Sequence, residues 1–206
     1  MLSFAELPEA WQGFIQACNS CRECPLGEQR QNVVVYRGAL DAPFMIIGEG
    51  PGKEEDRLGI PFVGRSGRLL DSLLEALEFT EDDYHIGNIV KCRPPGNRNP
   101  SREEAEACKR LLAAQFKLVK PRVILLSGKV AYQYFTGHDD PIGRVRGQWI
   151  ENKGFSILPT FHPAYVLRNP KARTELWNDL AMARRRLEEL DLIEPMKIPL
   201  QDRDPQ

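Results

Sequence analysis

Long hydrophobic runs are what this sequence most plainly lacks. No stretch of its 206 residues approaches the roughly 20 apolar residues a membrane span requires. A charge bias is missing too, since 28 Lys and Arg balance 29 Asp and Glu for a formal net charge of −1. No global field therefore draws the chain toward nucleic acid, and any such binding has to come from a local patch. The opening, MLSFAELPEAWQGF, has acids and a proline where a secretory leader carries a basic patch and an apolar core. A cytoplasmic location is the expectation. Internal repeats and linker-like stretches are also absent, so one domain over residues 1–192 is expected, with 193–206 a loosely held, proline-rich and charged tail. What is present, 42% hydrophobic and 28% charged residues, is the composition of a globular chain with a real core.

Two nucleotide-binding signatures fail on inspection. In GEGPGKEED, Gly52-Lys53 is followed by Glu54 rather than Ser or Thr, and Ile47 stands where a phosphate loop has its leading glycine. A dinucleotide fingerprint fails as well, because acids follow Gly50 and Gly52. What remains is a flexible loop with free N–H groups and Glu49 at a strand end.

The periodicity predicts an α/β chain. Apolar runs at 32–36, 42–50, 83–91, 121–128 and 155–160 read as strands, the last fed by a hairpin. Helices are predicted over 4–18, 66–79 with Ser66 as N-cap, 101–119, from 128 to about 135, and 170–190. Ser101 and Glu104 fit a capping box. Alternation of this kind predicts a three-layer sandwich around a mostly parallel, four-stranded sheet. Ligands of such sheets bind beyond the carboxyl ends of the strands. That edge collects GEGPG, the stretch from Asn88 to Cys92, SGKVA, and FHPAYVLRNP.

Several residues there call for a chemical reading. Asn88 ends an apolar strand, where a buried and unpaired amide would cost on the order of 1–3 kcal/mol. It offers one acceptor and two donors, enough to read the edge of an amide-like base such as uracil. Phe62, between Pro61 and a glycine-containing polar stretch, is either core or a plate for a flat ring. His162 directly follows the last strand; a lone histidine is usually a satisfied polar group, but this edge favours function.

Five cysteines complete the inventory, at 18, 21, 24, 92 and 108. A reducing compartment disfavours disulfides. Buried free thiols would suit Cys108 alone, but not three cysteines spaced by three in CNSCRECPLGEQR, which point to a metal or cluster. Thiolate ligation also suits zinc.

Taken together, GEGPGKEEDRLGIPFVG, NIVKCRPP, CRECPL and FHPAYVLRNP, with a cysteine in EACKR, closely resemble the family 4 uracil-DNA glycosylases, iron–sulfur enzymes of bacteria and archaea. The likeness runs from about Cys18 to about Leu190. The resemblance implies a uracil-DNA glycosylase-like fold and a base-excision activity that flips uracil out of DNA and hydrolyses its N-glycosidic bond, with uracil-containing DNA as partner and free uracil as product. It also implies a 4Fe-4S cluster on Cys21, Cys24, Cys92 and Cys108, although Cys18 could instead pair with Cys21. By the same likeness Phe62 stacks on the base and Asn88 binds its polar edge. His162 stabilises charge on the leaving pyrimidine, Glu49 lies beside the attacking water, Gly50 helps bind the substrate, and Glu55 crowds the C5 position. Relatives of other families use a Gln-Asp pair to activate water, so Glu49 followed by Gly50 leaves the general base open. Leu167 and Arg168 would serve as wedge and phosphate contact, and Ser127, Lys129, Arg144 and Arg146 would touch phosphates. The cluster Arg184–Arg186 reads as a solvated helix face.

The competing readings are a non-catalytic iron–sulfur or zinc module on nucleic acid, and the related enzyme type trapped covalently through a histidine. The segment RPPGNRNPSREE after Cys92 carries no histidine. A scaffold role is more distant. A monomer without membrane contact is expected, and the sequence reveals no sliding-clamp partner.

Overall fold

The computed structural model describes residues 3–197. In chain order its elements are α1 (Glu9–Ser20), α2 (Leu26–Gln29), β1 (Arg37–Gly38), β2 (Phe44–Gly48), α3 (Lys53–Leu58), α4 (Arg65–Ala76), β3 (Tyr84–Asn88) and α5 (Arg102–Val119). They continue with β4 (Val123–Ser127), α6 (Lys129–Thr136), α7 (Ile142–Val145), β5 (Ile150–Asn152), β6 (Phe155–Thr160), α8 (Pro163–Arg168) and α9 (Arg173–Glu189). Short 3₁₀ turns supplement them.

The sheet has six strands among the described residues, in the order β1-β3-β2-β4-β6-β5. Its centre is the expected parallel set β3-β2-β4-β6. The count of four is corrected by two short antiparallel edge strands, β1 on β3 and β5 on β6. Edge strands this short leave few open backbone groups for a further strand to pair with.

Strand interiors are apolar on both faces because both are covered by helices. Phe44, Ile46, Val123 and Leu125 point into one core with α4 and α9, while Met45, Ile47, Ile124 and Leu126 point into the other with α1 and α5. The run 32–36 departs from its expected strand. Val35 and Tyr36 sit in the second core with Val33 packed against it, but ladder pairing is confined to Arg37 and Gly38.

Helix α5 starts as its capping box predicts: Glu104 N–H donates to Ser101 Oγ at 3.2 Å, and Ser101 N–H to Glu104 Oε2 at 2.7 Å. The N-cap of helix α4 lies two residues earlier than expected, at Gly64 rather than Ser66. Arg184 is not a solvated residue; it is buried, paired with Glu188 and packed over the Phe79 ring at 5.1 Å. Ile193 and Met196 pack against the core, and Met196 N–H donates to Glu188 Oε1 at 3.0 Å. The rest of the expected tail, 198–206, lies outside the described residues. Among those described, no helix is long and apolar enough to cross a membrane.

Candidate active site

Register places the site. Gly48 and Asn88 are paired residues at the carboxyl ends of β2 and β3, and Thr160, two residues before His162, ends β6. Beyond these ends lies a cavity of about 370 Å³, lined among others by Glu49, Gly50, Glu55, Phe62, Asn88, His162 and Arg168. That volume suits a small ring.

Asn88 is 2% exposed, and among the described residues no protein group hydrogen-bonds its amide. The amide and the Phe62 ring close over Gly48, where a Cβ would come within 2.6 Å of Phe62 Cζ. Only glycine permits that approach.

Phe62 is held in the left-handed region, φ 56°, unusual for an aromatic residue. Several groups hold it there. Glu55 Oε1 accepts from Val63 N–H at 3.0 Å and Gly64 N–H at 2.7 Å, while its Oε2 accepts from Gly52 N–H at 3.1 Å. Arg37, ion-paired with Asp71, donates to the Phe62 carbonyl at 3.2 Å. The GEGPG loop is thus less free than the sequence suggests, because Gly52 leads straight into α3 and its N–H is engaged. Glu55 lines the cavity, but its carboxylate is committed to backbone.

His162 is the N-cap of α8, and its Nδ1 accepts from Ala164 N–H at 3.1 Å. An accepting Nδ1 puts the proton of the neutral ring on Nε2, which is then a donor. Burial, aided by the positive charge of Arg168, lowers its pKa to about 4. The ring lies 5.7 Å from Phe62 at 30°. At its back, Gly128 adopts φ +95°, and a Cβ there would meet His162 Cβ at 2.9 Å. Glu49 has no hydrogen-bond or ion-pair partner for its carboxylate among the described residues, and burial raises its pKa.

The residues expected at phosphates divide. Leu167, 41% exposed, lies on α8 beside Arg168, which lines the cavity. Arg144 is exposed on α7, and Lys129 is exposed but paired with Asp139 at 3.0 Å. Ser127 is buried at the end of β4. Arg146 turns inward: it forms an ion pair with the fully buried Asp179, donating from Nε at 2.8 Å, and also donates to the Glu175 carbonyl. Ser127 is thus covered and Arg146 is engaged with a buried carboxylate, whereas Arg144, Lys129 and Arg168 are exposed. The cavity adds Asn97, Arg98 and Tyr165, which the sequence reading passed over. The polar loop PPGNRNP was the available signal, and its backbone contorts at Asn97, φ 56°.

On the other side of Val90, Cys21, Cys24, Cys92 and Cys108 line one pocket. Cys18 does not line it; it is fully buried in the core and its thiol is pushed up to about 12 by burial. The four lining cysteines come from three separate segments, as the resemblance implied. Among the described residues, no three Cys, His, Asp or Glu side chains converge as a single-ion site needs.

Known proteins match this chain over most of its length. A family model described as the uracil DNA glycosylase superfamily matches residues 35–181. A type-4 uracil-DNA glycosylase of Thermotoga maritima is 47% identical over 153 residues, covering 72% of this chain and 79% of the relative. That of Pyrobaculum aerophilum is 41% identical over 171 residues, 79% and 87% of the two chains. That of Archaeoglobus fulgidus is 36% identical over 179 residues, 83% and 90%. With parallel strands that deliver an unpartnered amide, an aromatic plate and a donor imidazole to one cavity, the chain belongs to the uracil DNA glycosylase superfamily and, within it, to the type-4 uracil-DNA glycosylases.

Proposed function

We infer that the protein is a DNA-repair hydrolase that flips uracil out of DNA and breaks its N-glycosidic bond, leaving an abasic site and free uracil. The observation that carries the mechanism is the Asn88 amide, nearly buried yet without a protein partner, facing a cavity beside Phe62 and His162. A base in that cavity stacks on Phe62 and satisfies the Asn88 amide with its polar edge. As the bond lengthens, positive charge develops on the sugar and negative charge on the leaving base. His162 Nε2–H donates to the base oxygen that gathers this charge, an oxyanion-hole role in which a neutral donor suffices. Glu49 faces the side where water attacks; its unpartnered carboxylate can orient that water or offset the sugar's charge. Leu167 fills the gap left by the flipped base, and Arg168, with Arg144 and Lys129, meets phosphates.

The cysteine pocket supports a 4Fe-4S cluster on Cys21, Cys24, Cys92 and Cys108. Four thiols from three separate segments around one pocket are the donor set such a cluster takes. When bound, such a centre supplies cross-linking among α1–α2, the Asn88 segment and α5, which is a structural role. Incubation with a uracil-containing oligonucleotide followed by alkali tests the function. Strand cleavage at the uracil position is expected; an intact strand would leave the protein a binding module.

A further inference from the structure

Beneath the cavity runs a buried polar chain that no step of the proposed reaction uses. Lys91 is 1% exposed; its Nζ donates to the Asn88 carbonyl at 2.8 Å and to Gln115 Oε1. Gln115 Nε2 in turn donates to the Val35 carbonyl at 3.1 Å and to His85 Nε2 at 2.8 Å. His85 Nδ1 lies 2.7 Å from the Ala39 carbonyl. A carbonyl only accepts, so Nδ1 carries the proton and Nε2 is left to accept from Gln115. Every member thus has one orientation, and Gln115 and His85 are fully buried.

A buried amine is an expensive way to fill a core, since an apolar side chain of similar volume avoids desolvation. Its value lies in what it grips. Strand β1 covers β3 only at His85 and Ile86, so the ladder on that side ends before Asn88. The Lys91 amine supplies a donor beyond that end, on the carbonyl of the residue whose side chain enters the cavity. Lys91 also lines the cysteine pocket and is followed directly by Cys92, which lines it too. Both acceptors of the amine need only N–H groups, so the grip does not depend on its charge.

We propose that Lys91 is a positioning residue, whose amine fixes the end of β3 and thereby the aim of the Asn88 amide, while its backbone ties that end to the cysteine pocket. The proposal rests on the reading of Asn88 as the base-reading group. A double-mutant cycle tests it, using single-turnover excision from a uracil-containing oligonucleotide by wild type, Lys91→Met, Asn88→Ala and the double variant. Lys91→Met is expected to slow excision roughly 10- to 100-fold, but less than about twofold once Asn88 is alanine, as for groups that act as one unit. Affinity for an abasic strand should stay within about threefold of wild type, since binding and chemistry separate. Equal losses in both backgrounds would overturn the proposal while leaving the glycosylase reading intact. A wild type inactive on uracil would instead defeat that reading. Should Lys91→Met fail to fold, Gln115→Leu poses the same question one link away, with a smaller loss and the same non-additivity expected. Failure of both to fold assigns the chain to stability alone and overturns the proposal.

Discussion

The cavity beside His162 and the cysteine pocket lie on either side of one short segment, residues 88–92, and they treat polar groups in opposite ways. In the cavity the Asn88 amide and the Glu49 carboxylate face open volume without a protein partner. In the cysteine pocket the thiols share an apolar enclosure with Leu26, Val90 and Leu111, and cations stand at the rim. Arg30 Nη1 donates to Cys92 Sγ at 3.0 Å, and Arg110 Nη2 lies 3.9 Å from Cys21 Sγ. Burial raises the Cys92 and Cys108 thiols, which disfavours their thiolates, and the nearby Arg30 and Lys91 work against that. An amide left open to a void needs a partner that comes and goes. Thiols around one enclosed pocket need one that stays.

That contrast can be broken at its permanent side first. Cys92→Ser or Cys108→Ser should remove iron, the broad absorbance near ~400 nm and most soluble protein, because the proposed cluster would hold about four irons per chain. Cys18→Ser, outside the pocket, should change none of these beyond a modest loss of stability. A colourless zinc protein with full activity would contradict the assignment.

On the transient side, Asn88→Ala should slow uracil excision roughly a hundredfold while thermal stability is kept, since the lost hydrogen bonds form only with substrate. A variant that excises uracil at the wild-type rate would remove the amide from the mechanism. Glu55→Gly sharpens the comparison. From the sequence, this change was expected to admit C5-substituted bases and spare uracil. With three backbone N–H groups on its carboxylate, it should instead lower stability by about 2–4 kcal/mol and slow uracil excision as Phe62 loosens. Urea unfolding and excision of 5-substituted uracils, measured together, decide between the two.

The pH dependence of stability probes the two buried histidines. His85 and His162 both titrate near 4 when folded, against 6.5 for an ordinary histidine, mainly because burial disfavours the imidazolium. Between those values the unfolded chain binds protons that the folded one does not, so their contribution falls as pH drops from 6.5 toward 4. Above that window it is constant. Glu49 opposes the trend, because its raised pKa makes the folded state take up a proton earlier. A urea midpoint that held level across the window would show that the histidines protonate within the fold.

The parallel strands were legible because two-sided burial writes continuous apolar runs, and α5 because a capping box is a local chemical signature. Asn88 and His162 were legible as polar residues at the ends of such runs. What lay beyond the sequence depended on distant partners. Arg146 meets Asp179 33 residues away, an ion pair that the local sequence does not announce. Glu55 clasps backbone eight and nine residues on, which no side-chain pattern announces. The 32–36 run carried the apolar content of a strand, but tertiary packing used it as core filler and left pairing to two residues. By spacing, Cys18 and Cys24 were alternative partners for Cys21, and of the two only Cys24 lines the pocket with it.

The central claim is that leaving-group stabilisation by a neutral His162 outweighs water activation by Glu49. Loss of one such donor typically costs ~3–4 kcal/mol, a hundred- to thousandfold in rate. General base catalysis contributes roughly a hundred- to ten-thousandfold, so magnitude alone does not rank the two. Single-turnover excision by His162→Ala and Glu49→Gln, at saturating enzyme from pH 6 to about 8, ranks them directly. With the imidazole already neutral throughout that range, His162→Ala should lower the whole profile without changing its shape, and by more than Glu49→Gln. A larger loss in Glu49→Gln at comparable DNA affinity would contradict the account and make the carboxylate the principal catalyst.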